Sequence, residues 1–255
     1  EDLDFLDDLP GDPDHVLVGK RDSFMFPDAY RMNITTGRMT PAARGAGVFE
    51  RWIADNRGRV RAAIGRGQVR DDLEYELSYR EDEDAEWRSV RTFDEGNRIR
   101  VHGFDVDDRH LWVSARVHDD RMALYRLDPE SGEMGPAIAA DPLYDLDGEL
   151  VSARDGTPLY LEYHGDKPRK VFLNDDWKVL QEAIDGALPD TYNDFVDWDE
   201  RWARFVVHAW SDRDPGTYFF FDREKGTLKQ LLRSHPWIEP QRLSPMEPIV
   251  FEARD

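Results

Sequence analysis

Asp107-Asp108-Arg109-His110-Leu111-Trp112-Val113 decides the fold of this chain, because its pattern recurs. Three polar residues make a turn, and the run behind them suits a pleated, half-buried strand. The same order stands at Asp12-Pro13-Asp14 before His15-Val16-Leu17-Val18, and at Asp55-Asn56-Arg57-Gly58 before Val60-Arg61-Ala62-Ala63-Ile64. It returns at Arg154-Asp155-Gly156 before Leu159-Tyr160-Leu161-Glu162-Tyr163, and at Asp199-Glu200-Arg201 before Arg204-Phe205-Val206-Val207. With Asp14, Asn56, Asp108, Asp155 and Glu200 as landmarks, the intervals are 42, 52, 47 and 45 residues. A second strand led by an aromatic follows at Tyr30, Tyr75, Tyr125, Phe172 and Phe219, at intervals of 45, 50, 47 and 47. Two separate landmarks keep one period of roughly 40–50 residues, the length of a four-stranded propeller blade.

A hairpin turn repeats as well. Asn33-Ile34-Thr35-Thr36-Gly37, Asp128-Pro129-Glu130-Ser131-Gly132 and Asp222-Arg223-Glu224-Lys225-Gly226 each hold Asn or Asp four residues before Gly. The carboxylate or amide accepts hydrogen bonds from the turn's own backbone, and Gly takes the positive-φ position cheaply. A sandwich also spaces its strands regularly but need not keep a 45-residue super-period. The expectation is an all-β chain, a β-propeller of about five four-stranded blades around an axis. The ring is expected to be incomplete, because the chain begins inside its first unit. In the fourth unit the hairpin is replaced by a stretch with Trp177, Leu180 and Ile184 on one helical face. Asn174 or Asp175 can cap it and Pro189 lies past its end, so a short helix is expected over Asp176–Gly186, packed on the side of a blade.

The 255 residues carry 34 basic and 54 acidic side chains, a net charge of −20, which repels phosphate backbones and argues against nucleic-acid binding. Eight Trp, nine Tyr and 13 Phe give the chain ample surface to bury, against disorder. With no Cys there is no disulfide, thiolate nucleophile or sulfur-ligated zinc. The longest apolar run, Tyr218-Phe219-Phe220-Phe221, is far short of the roughly 20 residues a spanning helix needs. The first residues, Glu1-Asp2-Leu3-Asp4, hold no basic or apolar leader. A start at Glu suggests a processed or excised piece, so the compartment, cytoplasmic or periplasmic, is left open.

The chemistry is sparse. No Ser lies in a Gly-x-Ser-x-Gly elbow: Ser131 falls in a hairpin turn, and Ser78 and Ser114 inside strands. His15, His102, His110, His118, His164, His208 and His235 are dispersed, without the i, i+4 spacing of a helical zinc site and without a recognisable acid partner. Asp145-Leu146-Asp147-Gly148-Glu149 lacks the distal ligands of a calcium loop and reads as a β-turn. Gly65-Arg66-Gly67 and Gly19-Lys20 lack the frame of a phosphate loop. Asp105, Asp107, Asp197 and Asp199 lie on strand-to-turn segments, where two or three acids at a propeller axis would suffice for acid/base work on a sugar. Among 54 acids such placements arise by chance. Catalytic residues, metal ligands and cofactors are therefore expected to be none, and substrate-facing residues stay unassigned.

Toward the carboxyl end, Ser211-Asp212-Arg213-Asp214-Pro215-Gly216-Thr217-Tyr218-Phe219-Phe220-Phe221-Asp222 resembles the last propeller blade of prolyl oligopeptidase-family serine peptidases. Leu231-Leu232-Arg233-Ser234-His235-Pro236-Trp237-Ile238 is similar to that family's exit segment. Leu243 to Asp255 is similar to the junction where its α/β-hydrolase domain begins. The resemblance implies a non-catalytic propeller of a dipeptidyl aminopeptidase or acylaminoacyl peptidase-like enzyme, over 1–240, and a linker over 241–255. It implies as partners a C-terminal hydrolase domain carrying the triad and the peptide substrates of the whole enzyme. Family propellers have seven or eight blades, more than the five counted. The family's paired substrate-gripping glutamates have no counterpart: Glu74 and Glu76 lie in a strand, and the helix offers only Glu182 and Asp185. A stand-alone five-bladed glycosidase and a protein-interaction propeller are the alternatives, although one Trp198-Asp199 pair makes no tryptophan–aspartate repeat. Unpaired strand edges are expected to support an edge-mediated dimer, opposed by the acidic surface at low salt.

Overall fold

The computed structural model describes residues 3–21, 26–45, 48–69, 72–94, 96–97, 99–117 and 120–251, without the side chains of 67–69 and 72–73. His118 and the last four residues of the junction-like segment lie outside the described residues. The first sheet holds β1 (Leu3–Asp7), β2 (His15–Lys20), β3 (Asp28–Asn33) and β4 (Met39–Ala43). The second holds β5 (Phe49–Ala54), β6 (Val60–Val69), β7 (Asp72–Tyr79) and β8 (Arg88–Asp94). β9 (Arg100–Phe104), β10 (Leu111–Ala115) and β11 (Ala123–Leu127) form the third, and β12 (Glu149–Ser152), β13 (Pro158–His164) and β14 (Pro168–Phe172) the fourth. Helix α1 (Asp175–Ala187) precedes the fifth sheet: β15 (Tyr192–Trp198), β16 (Arg204–Trp210), β17 (Thr217–Asp222) and β18 (Thr227–Arg233).

In every sheet hydrogen-bonded neighbours are consecutive in the chain, and the registers run antiparallel. The sequence landmarks fall in equivalent places. Each polar turn leads into the second strand of its sheet, and each aromatic landmark lies on the third. Val18 thus faces Tyr30, Arg66 faces Tyr75, Val113 faces Tyr125 and Val207 faces Phe219. The hairpin glycines Gly37, Gly132 and Gly226 have φ of 69°, 76° and 60°, the left-handed conformation their turns require.

Two sheets are smaller than expected. Past β11 the chain makes only single bridges, Met134 to Leu127 and Ala139 to Leu124, because Gly135 and Pro136 interrupt the ladder. Past β14, α1 takes the place of a fourth strand. Its Asn174 cap accepts from the Trp177 N–H at 2.9 Å, and the helix runs one residue longer at each end than its apolar pattern indicates.

By its internal contacts the chain divides into two units, Glu1–Gly165 with Arg169–Leu173, and Asp166–Pro168 with Asn174–Asp255. In the first, successive sheets pack face to face. Leu17, Trp52 and Ala63 join the first two sheets, Leu77, Val101 and Val113 the next pair, and Trp112, Leu124 and Leu161 the last. Fully burying one such Leu or Val is worth about 1.5–3 kcal/mol. In the second unit Trp177 is fully buried, its ring 5.1 Å from Phe195, 4.8 Å from Trp198 and 5.3 Å from Trp202. Gln181 donates to the Asn193 carbonyl at 2.8 Å, seating α1 on β15.

Candidate functional site

The acidic turns are occupied by structure. Asp55, its carboxylate fully buried, accepts from the Arg57 and Arg59 N–H groups and pairs with Arg59 at 2.6 Å and Arg61 at 3.3 Å. Arg61 also donates to the Asp108 carbonyl at 2.6 Å and to the Tyr79 hydroxyl. Asn56 reaches the next turn, its amide donating to the Asp105 carbonyl at 2.8 Å and the Asp108 carboxylate at 2.9 Å. The turns of neighbouring sheets are thus sewn together.

Asp105 and Asp107 stand close, bridged by Arg126 at 2.5 and 2.8 Å. Burial pushes the Asp107 carboxyl up, but the His110 and Arg109 N–H groups and the His110 ring outweigh it and hold it at about 2. A carboxyl so low cannot serve as a general acid near neutrality. Asp197 accepts from the Trp198 N–H, and Asp199 from the Ala203 and Arg204 N–H groups, both in the second unit.

Two histidines do have acid partners, which their spacing in sequence concealed. His15 Nδ1 lies 3.0 Å from Asp12, and His110 Nδ1 2.6 Å from Asp107, both i, i+3 across a turn. No serine completes either pair among the described residues. Ser114 Oγ lies 2.8 Å from His102 Nε2, but Ser114 is fully buried in β10. Burial, with Arg100 and Arg51 nearby, pulls His102 down to about 3, too weak a base to activate an alcohol. Ser234 Oγ stands 3.4 Å from His208 Nε2, whose ring is stacked on Tyr218.

Asp145–Gly148 is an irregular run rather than a β-turn, and Glu149 opens β12. Asp145 pairs with Arg116 at 2.6 Å and accepts from the Met122 N–H at 2.6 Å, so both its oxygens are engaged by the protein. Among the described residues no group of three potential metal ligands is assembled, and no helix is long and apolar enough to cross a membrane.

What sequence reading missed is a recess of about 580 Å³ between the second and third sheets, at their first strands. Ile64, Phe93, Ile99, Val101 and Met122 supply its apolar surface, and Glu50, Arg51, Arg100, Arg116 and Asp147 its charges. Glu50 pairs with Arg66 at 2.9 Å and Arg116 with Asp145, so those charges are answered. Arg51 and Arg100 have no carboxylate partner among the described residues; Arg100 donates to the Asp147 carbonyl at 2.6 Å. Burial, then the charge of Arg100, pushes Arg51 below its ordinary value. Arg100 and Asp147 also border a second recess of about 420 Å³ lined by Glu149, Glu162 and His164. Gly148 makes this edge: a Cβ there would stand 1.5 Å from the Glu162 carbonyl oxygen.

Compared with known proteins, the chain is 24% identical over 272 residues to dipeptidyl aminopeptidase BIII of Pseudoxanthomonas mexicana, covering 96% of this chain and 35% of that protein. The resemblance to the prolyl oligopeptidase family holds along the chain. This chain spans about a third of the length of the curated relative it matches. No family model matches it. Similar solved structures include TolB from Acinetobacter baumannii, with 11% identity and a TM-score of 0.48, covering 87% of this chain and 52% of that one. A puromycin hydrolase has 13% identity and a TM-score of 0.47, covering 89% and 37%. Dipeptidyl peptidase 4 of Porphyromonas gingivalis has 10% identity and a TM-score of 0.44, covering 89% and 34%.

Proposed function

We propose that this chain is the non-catalytic β-propeller part of a prolyl oligopeptidase-family serine peptidase, its five sheets serving as blades that gate access to a hydrolase domain in the same gene product. Alignment of nearly the whole chain with about a third of a dipeptidyl aminopeptidase is the observation that carries this. The propeller spans 1–240 and 241–255 leads toward the hydrolase. In keeping with that boundary, Trp237, Met246, Ile249, Val250 and Phe251 are exposed beyond the last strand, apolar side chains that a neighbouring domain would cover.

Selectivity would then come from access, with oligopeptides admitted and folded proteins excluded, while the nucleophile, base and oxyanion hole act together in the hydrolase. The test compares the 255-residue chain with the intact gene product. The chain alone should take no fluorophosphonate label and leave dipeptidyl and acyl-peptide anilides intact. The intact product should be labelled, and should cleave the anilides but not a folded protein of the same sequence content. Stoichiometric labelling of the chain alone, or a gene product without a reactive serine, would refute the proposal.

A further inference from the structure

The recess between the second and third sheets carries an inference of its own. In a protein of net charge −20, Arg51 and Arg100 line one recess together, without a carboxylate partner among the described residues. Arg51 is on β5 and Arg100 on β9, neighbouring first strands, so the backbone holds them against their mutual repulsion. The repulsion is relieved when an anion sits between them, and guanidinium forks match a carboxylate in a bidentate way. Among the described residues the remaining unanswered charge on the rim is Asp147, which leaves a surplus of one positive charge among them.

The apolar part of the lining specifies what accompanies the anion. Ile64, Phe93 and Ile99 offer a surface for an apolar side chain, and about 580 Å³ lies in the range of small-molecule pockets. A bare inorganic oxyanion would leave that surface wet. We propose that the recess binds a short peptide by its free carboxyl terminus, the carboxylate held by Arg51 and Arg100 and an apolar last side chain laid on Ile64, Phe93 and Ile99. The site is built within the first unit alone and does not depend on the peptidase assignment, so either can fail without the other.

The test uses the 255-residue chain and N-acetyl-Ala-Leu-Phe, titrated by calorimetry beside the same peptide as its carboxamide, free acetate and inorganic phosphate. The acid peptide should bind, and the carboxamide should bind at least about tenfold more weakly, as should the chain carrying Arg51→Gln or Arg100→Gln. Both arginines lie at the recess rim, and circular dichroism would confirm that the variants fold. His102 supplies a second readout, because a carboxylate beside Arg51 and Arg100 offsets the charges that oppose its protonation. Its ring should titrate at higher pH when the peptide is bound. Equal affinity for acid and carboxamide, phosphate or acetate binding as tightly as the peptide, or full affinity in the Arg51→Gln, Arg100→Gln double variant would each overturn the proposal.

Discussion

Protonation of His102 should make the chain lose stability on mild acidification, well before its carboxylates titrate. His102 sits on β9 with its Nε2 2.8 Å from Ser114 Oγ, and burial followed by Arg100 and Arg51 lowers its folded-state value from 6.5 to about 3. In the unfolded chain the ring takes a proton near 6.5; in the folded chain it does not. Between those values the unfolded state holds one more proton, so unfolding becomes easier with each step down in pH. The stability is intact above about pH 7, falls as pH drops through 6.5, and levels off only near 3. From pH 7.5 to 4.5 the integrated loss is about 2.6 kcal/mol, from a limiting slope of about 1.4 kcal/mol per unit.

Urea unfolding at half-unit steps across that window, for the parent chain and His102→Gln, isolates the effect. Gln keeps a polar partner for Ser114 but cannot titrate, so the parent curve should fall more steeply by nearly the full amount. Contributions common to both chains cancel in the difference. Parallel curves, or a folded-state His102 ring that titrates above about pH 5 by NMR, would show that the arginines and burial do not act on it as described.

Asp55→Ala should cost about 3–5 kcal/mol in urea unfolding, because it strands the buried Arg61 guanidinium; a cost under 1 kcal/mol would show that water or Asp108 takes over. Asn174→Ala removes the α1 cap and should cost about 1 kcal/mol, whereas Asn174→Asp should restore most of it. Sedimentation at rising salt should show self-association through strand edges, weakest at low salt where the −20 charge repels; a strict monomer at high salt and high concentration would refute it.

The fold was legible to the extent that turn chemistry sets it. In the turn before the second strand of every sheet an Asp accepts from backbone N–H groups, and period-two strands between the turns have one way to bury their apolar face. The missing fourth strands were half visible: Trp177, Leu180 and Ile184 announce α1, while the Gly135-Pro136 break is a single local event inside an otherwise strand-like run. The histidine–aspartate pairs at His15 and His110 were readable in principle, since both are i, i+3 partners across turns that the repeat had already located.

The recess was not legible, and the reason is physical. Arg51 and Arg100 are 49 residues apart, one repeat, and each taken alone is an ordinary strand residue. Residues on successive first strands become neighbours only once the sheets stack. A repeat therefore gathers first-strand residues of successive sheets into one place, and the period itself says where to look. Gly148 lies 48 residues past Arg100, immediately before β12, the fourth sheet's first strand. There the absence of a side chain lets β12 close on the Glu162 carbonyl, and Arg100 becomes the boundary between two recesses. Arg51, Arg100 and Gly148, on or beside the first strands of three successive sheets, thus shape two adjoining charged recesses, an arrangement that no residue in this sequence carries by itself.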